Sequence, residues 1–156
     1  MNRIFITLIF VILSACDVSI SQKEEMQLSD LGTDKGRNEA IEVARKFLFM
    51  LDLKEFENTW ETLSRIIHEK STKKEWETSI VGIRASMGDP SNRSFLGAAY
   101  TNRVSGSPDG DYFLIETKAN FTNFGELKEQ VWVKKESQKW KIAGYRFEKY
   151  VGNIGN

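Results

Sequence analysis

Residues 72–90, TKKEWETSIVGIRASMGDP, contain the point at which the hydrophobic period of the chain changes. Thr72 and Glu75 have the spacing of a capping box, which marks the start of a helix. Apolar residues then recur at helical intervals: Trp76, Ile80, Ile83 and Met87. Gly88 and Pro90 end the helix, because glycine is common just past a helix C-terminus and proline cannot continue it. The sequence therefore predicts a helix that stops at residue 87.

Beyond Pro90 the apolar residues alternate with a period of two, which is typical of strands in a half-buried sheet. Short runs of Gly, Pro, Ser and Asp interrupt the alternation and mark turns. The pattern predicts four strands, over residues 93–104, 111–121, 126–135 and 140–150. Alternation places these side chains of the second and third strands on the buried face: Phe113, Ile115, Thr117, Ala119, Phe121, Leu127, Val131 and Val133.

Two further helices are predicted before Thr72 from apolar residues at helical spacing. The first begins at Arg37, and the second follows Asp52, where Glu55 completes a pattern like a capping box. Their apolar rows are Ala40, Ala44, Phe47, Leu48 and Leu51 in the first and Leu53, Phe56, Trp60, Leu63 and Ile67 in the second. Three N-terminal helices followed by a four-stranded antiparallel sheet predict an α+β fold. The helices would cover one face of a curved sheet, which can form a cone with a cavity beneath them.

The first fifteen residues have the pattern of a secretory signal, with one basic residue, Arg3, before a short apolar run. Leu13-Ser14-Ala15-Cys16 resembles the bacterial lipobox, in which the cysteine thiol is lipidated and becomes the mature N-terminus. The alternatives are an ordinary signal peptide with a chance cysteine and a marginal membrane helix. We expect three regions: a signal peptide at 1–15, a lipidated N-terminus and flexible tether at 16–36, and a single α+β domain at 37–156.

Lipid on Cys16 would attach the domain to a membrane, because two or more acyl chains give stable anchoring. Asp17, directly after the cysteine, resembles the signal that retains some Gram-negative lipoproteins at the inner membrane. The expected location is therefore the bacterial cell envelope. In a Gram-negative host this would be the periplasmic face of the inner membrane.

The composition argues against several classes of function. The chain has 22 basic and 22 acidic residues, so no excess of positive charge favours nucleic acid. Cys16 is the only cysteine and His68 the only histidine, so zinc, haem and Ser-His catalysis lack their usual parts. Asp109 and Asp111 form no complete calcium loop, since calcium takes six to eight oxygen ligands. We expect no cofactor and no metal.

The mature part of the chain resembles the bacterial family called domain of unknown function 4019. The resemblance is carried by motifs in a fixed order: Trp76, Arg84-x-x-x-Gly88, Arg93, Pro108-Asp109-Gly110-x-Tyr112, Phe121, Glu129 with Val131, and Trp140-x-Ile142-x-Gly144-Tyr145. It implies a small secreted or lipid-anchored protein with a nuclear-transport-factor-like or cystatin-like cone. The family carries no established activity, so the resemblance implies none.

Glu129 is the most informative polar residue of the predicted sheet. Strand alternation places it on the same face as Val131, where an unpaired carboxylate is unfavourable. Arg84 lies at the edge of the buried stripe of the third helix, and we predict that it meets Glu129 beneath the helices. Tyr112 or Tyr145 would add a hydroxyl. This group is either the polar floor of a ligand pocket or a structural ion pair that orients helix on sheet.

Trp132 is predicted on the opposite face of its strand, where an exposed tryptophan would mark a partner-binding surface. The preferred function is a non-enzymatic module that docks an envelope protein or a small apolar ligand. The alternative is a cone-fold isomerase, dehydratase or hydrolase. Such an enzyme would use Glu129 as its base and Arg84 or a tyrosine as its electrophile. The sequence leaves the identity of the ligand or partner and the oligomeric state open.

Overall fold

The computed structural model of the chain describes residues 34–152. The predicted signal peptide, the predicted lipidation site Cys16 and most of the predicted tether lie outside this range. The elements, in chain order, are α1 Asp34–Asp52, α2 Phe56–Thr59, a 3-10 turn Trp60–Thr62, α3 Arg65–His68, α4 Lys73–Met87, β1 Pro90–Thr101, β2 Tyr112–Phe121, β3 Gly125–Glu136 and β4 Lys139–Lys149. The chain is therefore α+β, as predicted.

Helix α1 begins at Asp34 rather than at Arg37, and Gly36 in its first turn is buried. Its predicted apolar row is buried against the sheet: Ala40, Ala44, Phe47, Leu48 and Leu51. Among residues 34–152, no helix combines the length and the apolar character needed to cross a bilayer.

The prediction of one continuous second helix is wrong. Residues 56–68 instead form two four-residue helices separated by a 3-10 turn and an extended segment. Leu63 and Ser64 are extended, with ψ of 152° and 160°. The Ser64 N–H donates to the Ile142 carbonyl at 2.8 Å, and Leu63 is buried. The backbone hydrogen bond to the edge strand β4 thus holds this segment in an extended form, although its apolar residues have helical spacing.

Helix α4 has the predicted boundaries. The Thr72 hydroxyl accepts from the Glu75 N–H at 3.3 Å, and the Glu75 carboxylate accepts from the Thr72 N–H at 2.8 Å. Gly88 follows the helix with φ of 80° and ψ of −170°, a conformation that other residues rarely adopt. A Cβ atom there would lie 3.0 Å from the Cβ of Thr122. This glycine therefore allows the chain to turn closely from α4 into β1.

The four strands form one antiparallel sheet in the order β1-β2-β3-β4. The pairing of β2 with β3 is regular, whereas the β1–β2 and β3–β4 ladders contain register shifts. Such irregularities bend strands, and the sheet is curved. The β3–β4 hairpin turns at Ser137 and Gln138, which both have positive φ (45° and 70°).

The main core lies between α1 and one face of the sheet. It contains the apolar row of α1 together with Phe113, Ile115, Val131, Val133 and Ile142. A smaller cluster lies beneath the end of α4 and contains Met87, Ala119, Phe121 and Leu127. Charged side chains of α1, α4 and the strands meet in the same layer between helices and sheet.

Candidate functional site

Five polar side chains from five elements converge between the helices and the sheet. Asp52 ends α1, Arg84 lies on α4, Arg93 on β1, Glu129 on β3 and Tyr145 on β4. We call this group the ionic cluster. It joins both long helices to three of the four strands.

Glu129 lies at the centre of the ionic cluster and is 0% exposed. Its Oε2 accepts from Arg93 Nε at 2.8 Å, and its Oε1 accepts from the Tyr145 hydroxyl at 2.8 Å and from Arg84 Nη1 at 3.4 Å. The Thr117 hydroxyl, on the neighbouring strand, lies 3.5 Å from Oε2. These donors satisfy the carboxylate, which allows its burial.

Asp52 is the second anion of the ionic cluster. Its Oδ1 accepts from Arg84 Nη2 at 2.6 Å and from Arg93 Nη2 at 3.0 Å, while its Oδ2 accepts from Arg93 Nη1. Each arginine therefore contacts both carboxylates. Two cations and two anions alternate, and the cluster carries no net formal charge.

The surroundings change the pKa of two side chains in the ionic cluster, Arg93 and Tyr145. Burial lowers the pKa of Arg93, but hydrogen bonds and the charges of Asp52 and Glu129 outweigh this and raise it. Burial, followed by the charge of Glu129, raises the pKa of Tyr145, so its hydroxyl stays protonated and donates. Between residues 34 and 152 no three His, Cys, Asp or Glu side chains are grouped to hold a metal ion.

The structure brings together three of the four residues predicted for this site: Arg84, Glu129 and Tyr145. Tyr112 does not join them, because its hydroxyl donates to the Pro108 carbonyl at 2.6 Å. Tyr112 alternates with Phe113 and therefore lies on the other face of β2, yet it is only 1% exposed.

Sequence reasoning missed Asp52 and Arg93 as members of the cluster. The capping-box pattern assigns Asp52 only to the start of the second helix, but Asp52 also extends the four-residue spacing of Ala40, Ala44 and Leu48 along the buried face of α1. That spacing is the signal that could have identified it. Arg93 was recognised only as a motif residue, and no periodicity in the sequence separates it from an exposed arginine.

A cleft of about 610 Å³ lies between α1 and strands β1 and β2, beside the ionic cluster. Its apolar lining consists of Ile41, Leu48, Phe49, Phe95 and Ile115. Phe49 is 58% and Phe95 49% exposed, although both are large and apolar. Asp52, Arg93 and Thr117 also line the cleft, so the ionic cluster forms one end of it.

Trp132 lies on the outer face of the sheet, as predicted, and is half-buried. It packs over Gly144, where a Cβ atom would lie 3.5 Å from the Trp132 Cδ1 atom. Leu114 pairs with Trp132 from the other side. The Trp132 ring thus covers Gly144 on the neighbouring strand, and this contact buries part of the apolar surface of the ring.

Fold and site together define an α+β domain whose helices are joined to a four-stranded antiparallel sheet by a buried ionic cluster. The family model described as "Protein of unknown function (DUF4019)" matches residues 43–145. The chain belongs to this family, which confirms the resemblance drawn from its motifs. All five residues of the ionic cluster lie within the matched range. A comparison with curated proteins gives no match.

Proposed function

We propose that this chain is a non-enzymatic cell-envelope lipoprotein whose domain binds a small, largely apolar ligand in the cleft beside the ionic cluster. The observation that carries the proposal is the cleft itself. Its volume of about 610 Å³ lies within the range of small-molecule sites, which is roughly 300–1,000 Å³. Such sites combine apolar walls with a few convergent polar groups, and this cleft has both.

The two exposed phenylalanines at the cleft support the proposal that it binds a ligand. Phe49 and Phe95 approach the cleft from α1 and from β1. Covering them with an apolar molecule removes apolar surface from water, which is favourable by about 25 cal/mol per Å². The alternative function is the docking of an envelope protein at another surface, for example at Trp132 on the outer face of the sheet.

The burial of Glu129 argues against the enzyme alternative. A general base must come within hydrogen-bond reach of the proton that it removes. Glu129 is 0% exposed and is held by Arg84, Arg93 and Tyr145. Arg84 is also buried and bonded to Asp52, so the proposed electrophile is enclosed as well. The cluster therefore serves as a structural connection that also forms one end of the cleft.

We further propose that the fold is a nuclear-transport-factor-like or cystatin-like cone. The curved antiparallel sheet, with α1 and α4 over one face and a cleft beneath α1, supports this assignment.

The proposals of a tether and a lipid anchor are based on the sequence alone. Leu13-Ser14-Ala15-Cys16 supports lipidation, and Asp17 supports retention at the inner membrane of a Gram-negative host.

The anchor is tested by Cys16→Ser in a bacterial host. The variant should lose lipid-dependent processing or move to the soluble fraction, because no thiol remains to carry the lipid. Membrane fractionation and the mass of the mature N-terminus measure this. A variant that is still processed after Ala15 and still sediments with membranes would contradict the lipobox assignment.

The ligand site is tested by titrating the purified protein with the neutral apolar dye N-phenyl-1-naphthylamine, whose fluorescence rises in apolar surroundings. We expect saturable binding that Phe49→Ser weakens about tenfold, because the dye loses an aromatic contact. Phe124→Ser is the matched control, since Phe124 is 56% exposed in the turn between β2 and β3 and does not line the cleft. Equal weakening by both variants, or by neither, would contradict binding in the cleft.

A further inference from the structure

We propose that the ligand of the cleft carries a neutral carbonyl group, as in a long-chain amide, ester or ketone, which accepts hydrogen bonds from Arg93. This inference rests on the proposed function and adds the chemical class of the ligand. It follows from the hydrogen-bond capacity and the charge at the end of the cleft formed by the ionic cluster.

Arg93 has donors to spare at this end. A guanidinium group carries five N–H donors. Nε donates to Glu129 at 2.8 Å, Nη2 donates to Asp52 at 3.0 Å, and Nη1 donates to the other Asp52 oxygen. Among the described residues, two N–H groups of Arg93 therefore have no acceptor. The side chain is 22% exposed and lines the cleft, so a ligand oxygen can reach it.

Acceptors at the same end are largely occupied. Both oxygens of Asp52 already accept from Arg84 or Arg93. The remaining polar group, the Thr117 hydroxyl, has a contact to Glu129 of 3.5 Å, at the limit of a hydrogen bond. Thr117 can turn this weakly held proton toward the cleft. This end of the cleft therefore offers mainly hydrogen-bond donors, and it favours a ligand that carries a hydrogen-bond acceptor.

Charge decides between a carboxylate and a neutral acceptor. Asp52 and Glu129 already neutralise Arg84 and Arg93. Farther along the cleft, Glu42 and Arg45 line it and pair with each other at 3.1 Å, so they add no net charge. A ligand carboxylate would bring an unbalanced charge next to Asp52, and a ligand ammonium would bring one next to Arg93. A carbonyl oxygen accepts hydrogen bonds from the remaining N–H groups of Arg93 without adding a charge.

The test is displacement of N-phenyl-1-naphthylamine from the native protein by four molecules with the same alkyl chain. They are dodecanamide, methyl dodecanoate, dodecanoate and dodecylammonium, the first two used below their solubility limits and the two ions below their critical micelle concentrations. We expect the amide and the ester to displace the dye at about tenfold lower concentration than either ion, because an ion must lose hydration beside a cluster whose charges are already balanced. Displacement by dodecanoate at equal or lower concentration would overturn the inference, and so would equal displacement by all four.

Isotope-edited infrared spectroscopy of carbonyl-labelled methyl dodecanoate gives a second readout. Binding should shift its carbonyl stretch to lower wavenumber than in hexane, because the oxygen accepts from Arg93. Arg93→Lys should reduce the shift and the advantage of the neutral ligands, because a lysine ammonium has only three N–H donors and Asp52 and Glu129 compete for them. An unshifted band in the native complex would overturn the inference.

The two proposals fail differently. If the dye does not bind to the native protein, both the ligand site and its carbonyl preference are wrong. If the dye binds in the cleft but the amide and ester have no advantage, only the carbonyl preference is wrong.

Discussion

Replacing Glu129 with glutamine removes one negative charge from the ionic cluster while keeping the size of the side chain. Arg84 and Arg93 then share a single anion, Asp52, and the buried cluster gains a net positive charge. The glutamine amide also places an NH₂ donor where one carboxylate oxygen was an acceptor. Since Arg93 donates to one oxygen and Arg84 to the other, either orientation of the amide opposes two donors.

The size of the effect follows from the complete burial of Glu129. Removing one partner of a buried ion pair lowers the free energy of unfolding by about 3–5 kcal/mol, because the other charge stays buried without compensation. With a urea slope of about 2 kcal/mol/M, a loss of 4 kcal/mol lowers the urea midpoint by about 2 M. Glu126→Gln is the control on the same strand, since Glu126 is exposed and its pair with Lys118 lies at the surface. Its midpoint should not change.

The double variant Arg84→Met/Glu129→Gln separates charge balance from simple loss of contacts. It removes one cation and one anion, and it leaves the pair of Asp52 and Arg93 intact. We expect its destabilisation to be smaller than the sum of the two single effects by at least about 1 kcal/mol. Urea melts followed by tryptophan fluorescence measure all three variants. A Glu129→Gln midpoint equal to that of the control, or strictly additive effects, would refute the reasoning.

Three further changes probe local features of the fold. Burial, followed by the hydrogen bond to Asp111, raises the pKa of Tyr100 to about 12. Its stabilising contribution is therefore complete below the unfolded pKa of about 10 and is lost as the pH rises toward 12. Urea midpoints should fall less between about pH 9 and pH 11 in Tyr100→Phe than in the native protein, and parallel falls would contradict this. Gly88→Ala should lower the free energy of unfolding by about 2 kcal/mol, because alanine is strained at φ of 80° and meets Thr122, and an unchanged urea midpoint would disprove the strain. Gln138→Gly should raise the free energy of unfolding by about 1 kcal/mol in the same assay, because glycine adopts the φ of 70° at this position without strain. A midpoint at or below that of the native protein would contradict this.

Local signals predicted α4 and the sheet because sequence and tertiary structure agree there. The capping box at Thr72 and the glycine at 88 end the helix by backbone chemistry alone. Alternation in β2 and β3 reports burial on one face, since that face packs on α1. At Leu63 the local sequence pattern and the tertiary structure disagree. The helical period continues through it, but a backbone hydrogen bond from Ser64 to Ile142 draws the segment into an extended form.

The candidate site could be predicted only in part, and for a physical reason. Glu129 was visible because a carboxylate on an apolar strand face needs a partner. The choice of partners depends on how α1 and α4 cross the sheet, which no local pattern encodes. The sequence therefore does not identify Arg93 and Asp52 as partners, and it leaves Tyr112 as an alternative to Tyr145, although the Tyr112 hydroxyl donates to the Pro108 carbonyl. The curved sheet predicts a cavity, but no local pattern identifies its lining, since Phe49 and Phe95 lie on different elements.

Methyl-resolved NMR of the protein titrated with N-phenyl-1-naphthylamine reports directly on where a ligand binds. We predict that the methyl signals of Ile41 and Ile115, which line the cleft, shift progressively and saturate together. Those of Ile142, which is buried away from the cleft, should stay in place. Shifts confined to Leu114, beside Trp132 on the outer face of the sheet, would contradict a ligand site in the cleft, as would the absence of any shift.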